Sequence, residues 1–394
     1  MSSHILVIPS WYSDGRGSGG GYFRDQALAL KAAGHRVAIL APAIHTWRDL
    51  QTGRVPRGGL GHPTVEIDGM PIYRRNDFTA LPRLPYRNPL AWTRCGMKLF
   101  RRYIAENGPP DLVHAHCCLN AGVLALAINR RFGIPFVVTE HSAGPAGGRW
   151  WERDLIRRVT GRASRCIAVS PHLTALLEGH YPGAQWRYLP NVLGEAFLGE
   201  GFWGEGLRSA VTSLTMPEGD RPFVFLCVAR MSPEKGHALL LDAFAGAFRG
   251  SSGTRLRLVG DGPLLASLQR LSRQLGIAEQ IDFTGALPAN RVRAEMELAD
   301  AFALASNHET FGVVIIEALA CGLPIVSTAS GGPDHLIDTD NGVLVPCRDV
   351  AALRDALQAM RGQASRYDRR AIRAEVIRQY GPDAFARQFA AIIA

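Results

Sequence analysis

Short apolar runs alternate with amphipathic stretches along most of the chain. His4–Pro9 is an almost unbroken apolar run, and residues 24–33 then place Ala27, Leu28 and Leu30 in helical spacing before Gly34. The apolar run recurs at residues 36–41, 111–115, 136–139 and 166–170, with helical patterns between. Continuous apolar strands alternating with helices predict a parallel sheet covered on both faces. The stretch 54–89, rich in Pro, Gly and Arg, predicts a mixture of loops and edge strands.

A second series repeats the logic at Phe223–Val228, 256–259, 281–284, 301–305, 324–327 and Gly342–Val345. The expected fold class is therefore α/β, with two doubly wound Rossmann-like domains facing a central cleft. The expected boundaries are an N-terminal domain at 1–194 and a glycine-rich linker or insertion at 195–220. A C-terminal domain follows at 221–375. The chain should be helical from about 368, and residues 376–394 should form a helix that returns to the N-terminal domain. In open α/β sheets ligands bind outside the carboxyl ends of the strands, so the loops after each strand are the ones to search.

Composition narrows the class. At 394 residues, with 47% apolar and 20% charged side chains, the chain is an ordinary folded protein of two domains. Its formal charge of +9 is uneven: residues 1–194 hold 24 Lys+Arg against 12 Asp+Glu, while the remainder is slightly acidic. No apolar run approaches the roughly 20 residues of a membrane span, and the opening run is too short for a signal peptide. Seven cysteines without a C-x-x-C argue against a disulfide framework and suit a reducing, cytoplasmic setting.

Only three lysines occur in the chain, and Lys235 is the single one after residue 194. It follows Arg230 by five residues in the loop after the first strand of the second series. Two fixed cations there suit a diphosphate, which gains charge as it departs. Glu309 falls in the loop after the 301–305 strand and Glu317 about two turns into the following helix, and their eight-residue spacing puts both on roughly one helical face toward one pocket. Carboxylates accept paired hydroxyl hydrogen bonds from a sugar or ribose, and the amides of Phe311, Gly312 and Val313 could hold a phosphate.

Arg230-x4-Lys235-Gly236 and Glu309-x7-Glu317, with Phe311-Gly312 and Ala318-x2-Ala320-Cys321-Gly322-x-Pro324, resemble the retaining glycosyltransferases of family four. The likeness extends to Gly260-Asp261-Gly262-Pro263, Phe283-Thr284-Gly285 and Gly331-Gly332-Pro333. In the first half it covers Ser10-Trp11-Tyr12, the loop Gly19-Gly20-Gly21-Tyr22-Phe23, and Ala29-Leu30-x3-Gly34-His35. The resemblance implies the B-type glycosyltransferase fold and a UDP- or GDP-sugar donor, with no further cofactor and no metal. Arg230 and Lys235 would stabilise the leaving diphosphate, Glu309 would contact the transferred sugar, and Glu317 the ribose hydroxyls. Gly20 and Gly21 would admit the donor phosphate, and Ala286 and Leu287 would lie against the base. Where family members often carry Glu-Gly this chain has Glu309-Thr310, which alters the local pocket shape. A nucleotide-sugar epimerase of the same fold, or a catalytically silent nucleotide-sugar-binding subunit, are the alternatives.

In the first half, His114 and His116 end a strand and face the same side. A metal site of these histidines with Cys117 and Cys118 is geometrically incomplete, since the two cysteines project oppositely. By resemblance, His116 would serve the donor sugar or the acceptor, and His141, in Thr139-Glu140-His141-Ser142, is a further sugar or acceptor contact. The acceptor expected is a glycan or lipid-linked precursor in bacterial surface polysaccharide synthesis.

Basic residues mix with aromatic ones at 92–103 and 149–165, a pattern that suits an anionic membrane surface on the inner face of the membrane. No nucleic-acid recognition module is present. Gly15-x-Gly17-x-x-Gly20 matches a dinucleotide fingerprint but lacks the acidic partner after the second strand. Asp338-Thr339-Asp340 precedes Asn341-Gly342 and reads as a surface turn.

Overall fold

The apolar runs become parallel strands in two separate sheets. The structure, a computed structural model, describes residues 2–12, 21–46, 49, 64–79, 86–144, 148–199 and 221–394. The chain divides into two units, Met1–Val192 with Pro382–Ala394, and Leu193–Gly381.

The first unit runs β1 (His4–Pro9), α1 (Gly21–Ala32), β2 (Arg36–His45), β3 (Thr64–Ile67), β4 (Met70–Phe78) and α2 (Arg87–Asn107). It continues through β5 (Leu112–His116), α3 (Val123–Phe132), β6 (Phe136–Glu140), α4 (Trp150–Thr160), β7 (Arg165–Ala168), α5 (Pro171–His180) and β8 (Trp186–Tyr188). The strand order is β3-β4-β2-β1-β5-β6-β7-β8. Every pairing is parallel except the β3–β4 hairpin. Its turn residues, Asp68 and Gly69, both have positive φ, as a two-residue hairpin turn requires. β3 is the edge strand that the 54–89 stretch predicts. β4, in contrast, lies inside the sheet against β2, and α2 already begins at Arg87.

The second unit runs β9 (Phe223–Val228), α6 (His237–Phe248), β10 (Thr254–Val259), α7 (Leu265–Gln274), β11 (Ile281–Gly285) and α8 (Ala289–Leu298). Then follow β12 (Ala301–Leu304), α9 (Val313–Ala320), β13 (Ile325–Thr328), β14 (Gly342–Val345), α10 (Val350–Gln363) and α11 (Arg369–Tyr380). Its six strands are ordered β11-β10-β9-β12-β13-β14. The Asp368 side chain caps α11 by accepting from the amides of Arg370 and Ala371. Gly381-Pro382 ends that helix, and α12 (Pro382–Ile393) belongs to the first unit. There Phe385 and Phe389 join Ile5, Val7, Leu30, Ile39 and Ile72 in one buried cluster. The chain thus changes unit at 381–382, six residues later than residue 376.

Of the expected linker, residues 200–220 lie outside the described residues. Residues 195–199 are fixed on the second unit. Arg293 Nη1 donates to the Ala196 carbonyl at 2.9 Å, and Arg373 Nη2 to that of Gly199 at 2.9 Å.

In each sheet the strand order reverses beside the first strand of its series, between β1 and β5 and between β9 and β12. Adjacent loops depart there in opposite directions and leave an opening at the carboxyl edge. Nearly all the singled-out residues lie at these two edges.

Candidate active site

In the second unit the reversal point is closed by an ion pair. Lys235 Nζ donates to Glu309 Oε1 at 2.6 Å, and Ser306 Oγ donates to the same oxygen at 2.8 Å. Lys235 sits in a short turn, Pro233–Lys235, after β9, and Glu309 in the loop after β12. Backbone bonds hold both in place. The Asn307 amide donates to the Glu234 carbonyl at 2.8 Å, and the Glu309 amide to that of Ser330 at 3.0 Å. Glu309 Oε2 accepts no hydrogen bond among the described residues, and Lys235 Nζ has donors to spare. A sugar hydroxyl and phosphate oxygens can therefore be taken without breaking the pair.

Arg230 is exposed and makes no ion pair among the described residues. Its charge contributes to holding the Glu234 carboxyl low, after the larger effect of the Ser232 hydroxyl bond and the backbone. Beneath the pair, burial pushes the Cys227 thiol up to about 12, so it is inert as a nucleophile. Burial with the Lys235 charge pulls His237 down to about 4.

Helix α9 begins only at Val313, after Gly312 at φ 96. Glu309 is instead in extended backbone, bridged to Gly331. The eight-residue spacing therefore does not put Glu309 and Glu317 on one helical face. Glu317 is little more than one turn into α9 and half-buried. The amides of Phe311, Gly312 and Val313 donate to nothing among the described residues. The Phe311 ring faces away, buried 5.7 Å from His335 and 6.1 Å from Tyr380. Any ligand contact from Phe311 is thus through its backbone. Ala286 and Leu287 follow β11 on the same carboxyl edge, with Ala286 exposed. Asp338-Thr339-Asp340 is an exposed turn, in which the Asp340 amide donates to Asp338 Oδ1 at 2.9 Å.

In the first unit His116 ends β5 and His141 follows β6, and both are buried. His116 Nδ1 and His141 Nε2 share a hydrogen bond of 2.9 Å, with His116 Nε2 left unpartnered. Phe23 of α1 packs 4.8 Å from the His116 ring and 5.1 Å from that of His141. Gly21 opens α1, and a Cβ there would meet nothing within 4 Å, so packing does not demand glycine. Gly20, and with it the Gly15-x-Gly17-x-x-Gly20 match, lies outside the described residues.

Sequence reasoning passed over Glu140 as an organiser. Its buried Oε1 accepts from the amides of His141 and Ser142 and from Ser142 Oγ, and its Oε2 from the Cys118 amide at 2.9 Å. One carboxylate thereby ties the loops that carry His116 and His141. The signal available was Ser142, a local hydroxyl partner two residues on.

His114 completes the cluster: its Nε2 meets Thr139 Oγ1 at 2.8 Å and its ring lies 4.2 Å from that of His116. Burial drives His114 down to about 3. It does the same for His141, aided by His114 and opposed by Asn191. His116 is held well below its ordinary value by burial, with both neighbours adding. Unfolded histidines take up protons below about pH 6.5 while these remain neutral, so stability is lost as pH falls from there. The expected slope is about 1.4 kcal/mol per pH unit for each such histidine. Thermal midpoints measured between about pH 7 and 5 check this, and a flat profile would show that the cluster carries charge.

Two parallel-sheet units, each with its polar groups at the carboxyl edge where strand order reverses, define the B-type glycosyltransferase fold. Residues 216–374 match the family described as Glycosyl transferases group 1, and residues 17–192 the Glycosyl transferase 4-like domain. The 2-deoxystreptamine N-acetyl-D-glucosaminyltransferase of Streptomyces fradiae is 30% identical over 98% of this chain and 93% of its own length. A GDP-mannose-dependent alpha-(1-6)-phosphatidylinositol monomannoside mannosyltransferase of Mycolicibacterium smegmatis is 39% identical over 35% of this chain. The match spans 38% of that relative's length. In fold, the chain is similar to sucrose-phosphate synthase from Thermosynechococcus elongatus, with a TM-score of 0.78, 22% identity and 98% of each chain covered. The chain belongs to the family-four glycosyltransferases.

Proposed function

We propose that this chain is a retaining glycosyltransferase. It would move a sugar from a UDP- or GDP-sugar to a hydroxyl of a glycan or lipid-linked acceptor in bacterial surface polysaccharide synthesis. The observation that carries the reading is the Lys235–Glu309 pair at the β9/β12 reversal, with Arg230 and the amides of Phe311 to Val313 left unpartnered among the described residues. Together they supply cations and N–H groups for a diphosphate and a carboxylate oxygen for a sugar hydroxyl. The names of the Streptomyces and Mycolicibacterium relatives, both sugar transferases, support the same class.

In the proposed reaction the bond between sugar C1 and the phosphate oxygen breaks, and the acceptor oxygen bonds C1 on the same face. The acceptor proton passes to the departing phosphate, so no protein nucleophile is required. Arg230 and Lys235 stabilise the growing charge in place of a metal ion. Glu309 orients the sugar, Glu317 the ribose, and Ala286 and Leu287 pack on the base. Neutral His116 offers its unpartnered Nε2 to the sugar or the acceptor, its Nδ1 being hydrogen-bonded to His141.

Thermal-shift screening against UDP- and GDP-sugars tests the donor. A ligand at 100 times its Kd stabilises by about 2.7 kcal/mol. NMR of the product made with the responding sugar, with and without a chelator, tests the rest. The expected product keeps the donor's anomeric configuration and forms at the same rate with the chelator. Inversion or loss of rate would overturn those parts. Conversion of the donor without an acceptor would mark an epimerase.

A further inference from the structure

Helix α2 turns two different faces to its surroundings. Trp92, Cys95, Leu99, Phe100 and Tyr103 are buried against the first unit, which fixes the opposite face outward. That outward face carries Arg87, Leu90, Arg94, Lys98 and Arg101, which at 100° per residue fall within an arc of about 80°. The arc holds no acidic residue. Arg102, at its margin, is already engaged with Glu106. The four cations of the arc make no ion pair among the described residues, and they extend over about 21 Å of helix.

The amino end of this row is apolar. Leu90 is 48% exposed and Trp150, the first residue of α4, is 70% exposed. Tyr86 at the start of α2 joins them, its ring 5.8 Å from that of Trp150 and its hydroxyl 3.2 Å from Asp154 Oδ2. Asp154 is neutralised by Arg158 at 2.9 Å. An exposed tryptophan and leucine thus stand at the end of a row of cations that make no ion pair among the described residues. This arrangement matches a bilayer surface, where indole rings settle at headgroup depth and cations meet anionic phosphates.

We propose that this face of α2, with Tyr86 and Trp150 at its end, docks the protein on an anionic lipid bilayer. The occupant is the membrane surface itself, chosen because charge and aromatic placement both complement it. The surface is independent of the donor site, so the proposal stands or falls apart from the transfer reaction.

The test is sedimentation of the full chain with vesicles of phosphatidylcholine alone or mixed with phosphatidylglycerol, at physiological salt. Wild type should pellet with the mixed vesicles and remain in solution with neutral ones. Each near-surface cation contributes about fivefold, so Arg94→Gln with Lys98→Gln should weaken partition about 25-fold. Trp150→Ala should weaken it too. Both variants should keep the wild-type thermal midpoint, since these side chains pack against little. Equal pelleting with neutral vesicles, no pelleting, or partition unchanged in the double variant would each overturn the proposal. Retention of the chain by a soluble polyanion such as DNA, with no vesicle binding, would reassign the face.

Discussion

Lys235→Ala should cut sugar transfer by about 100- to 1,000-fold, the loss typical when one preorganised charge donor is removed from developing negative charge. The side chain is 24% exposed and its partner Glu309 11%, so the pair is neither deeply buried nor free in solvent. Removing the ammonium leaves Glu309 with the Ser306 hydroxyl. The expected stability change is about 1 kcal/mol, far smaller than the kinetic effect. Comparing kcat with the thermal midpoint separates the two. A variant with wild-type turnover would remove Lys235 from the chemistry; one that merely unfolds would make it structural.

Gly236→Ala should act oppositely, through the fold. Gly236 has φ 63, and an added Cβ would lie 1.9 Å from the Ala305 carbonyl oxygen at the end of β12. The atoms it would meet first are the Ala305 backbone, which cannot rotate away as a side chain could. Left-handed strain contributes about 1–2 kcal/mol. The displaced strand end raises the expected cost to about 4 kcal/mol, at the upper end for single substitutions. Gly285→Ala is the control. Its φ is 75, but nothing lies within 4 Å, so only the conformational part should appear. Chemical unfolding of the two variants measures the difference, and equal costs would show that the approach to Ala305 is not tight.

Much of this architecture was legible because parallel strands are apolar on both faces and announce themselves as runs. The strands from β1 to β14 that follow that rule fell within a few residues of expectation. β4 escaped because Arg74, Arg75, Asn76 and Asp77 occupy its second half, although it lies inside the sheet. β8, with three residues, is too short to show a period. At the site, Arg230, Lys235 and Glu309 were legible because each falls between a strand end and a helix start. The facing of Glu317 was not, because the left-handed turn at Gly312 breaks the helical register on which the spacing argument relied. Glu140 left no periodic trace at all, since its role is to gather backbone amides from two loops distant in sequence.

The basic excess of the first half also acquires a place. It includes one outward row on α2, an element that carries none of the clustered histidines.

A nucleoside diphosphate should bind at the β9/β12 edge through Arg230 and Lys235. Calorimetric titration of UDP and of GDP into wild type and into the Arg230→Ala/Lys235→Ala double variant measures this. One nucleotide should bind wild type, and the double variant should lose about 100-fold in affinity, as expected for two charge-assisted phosphate contacts. Binding of neither nucleotide, or equal affinity in the double variant, would contradict it.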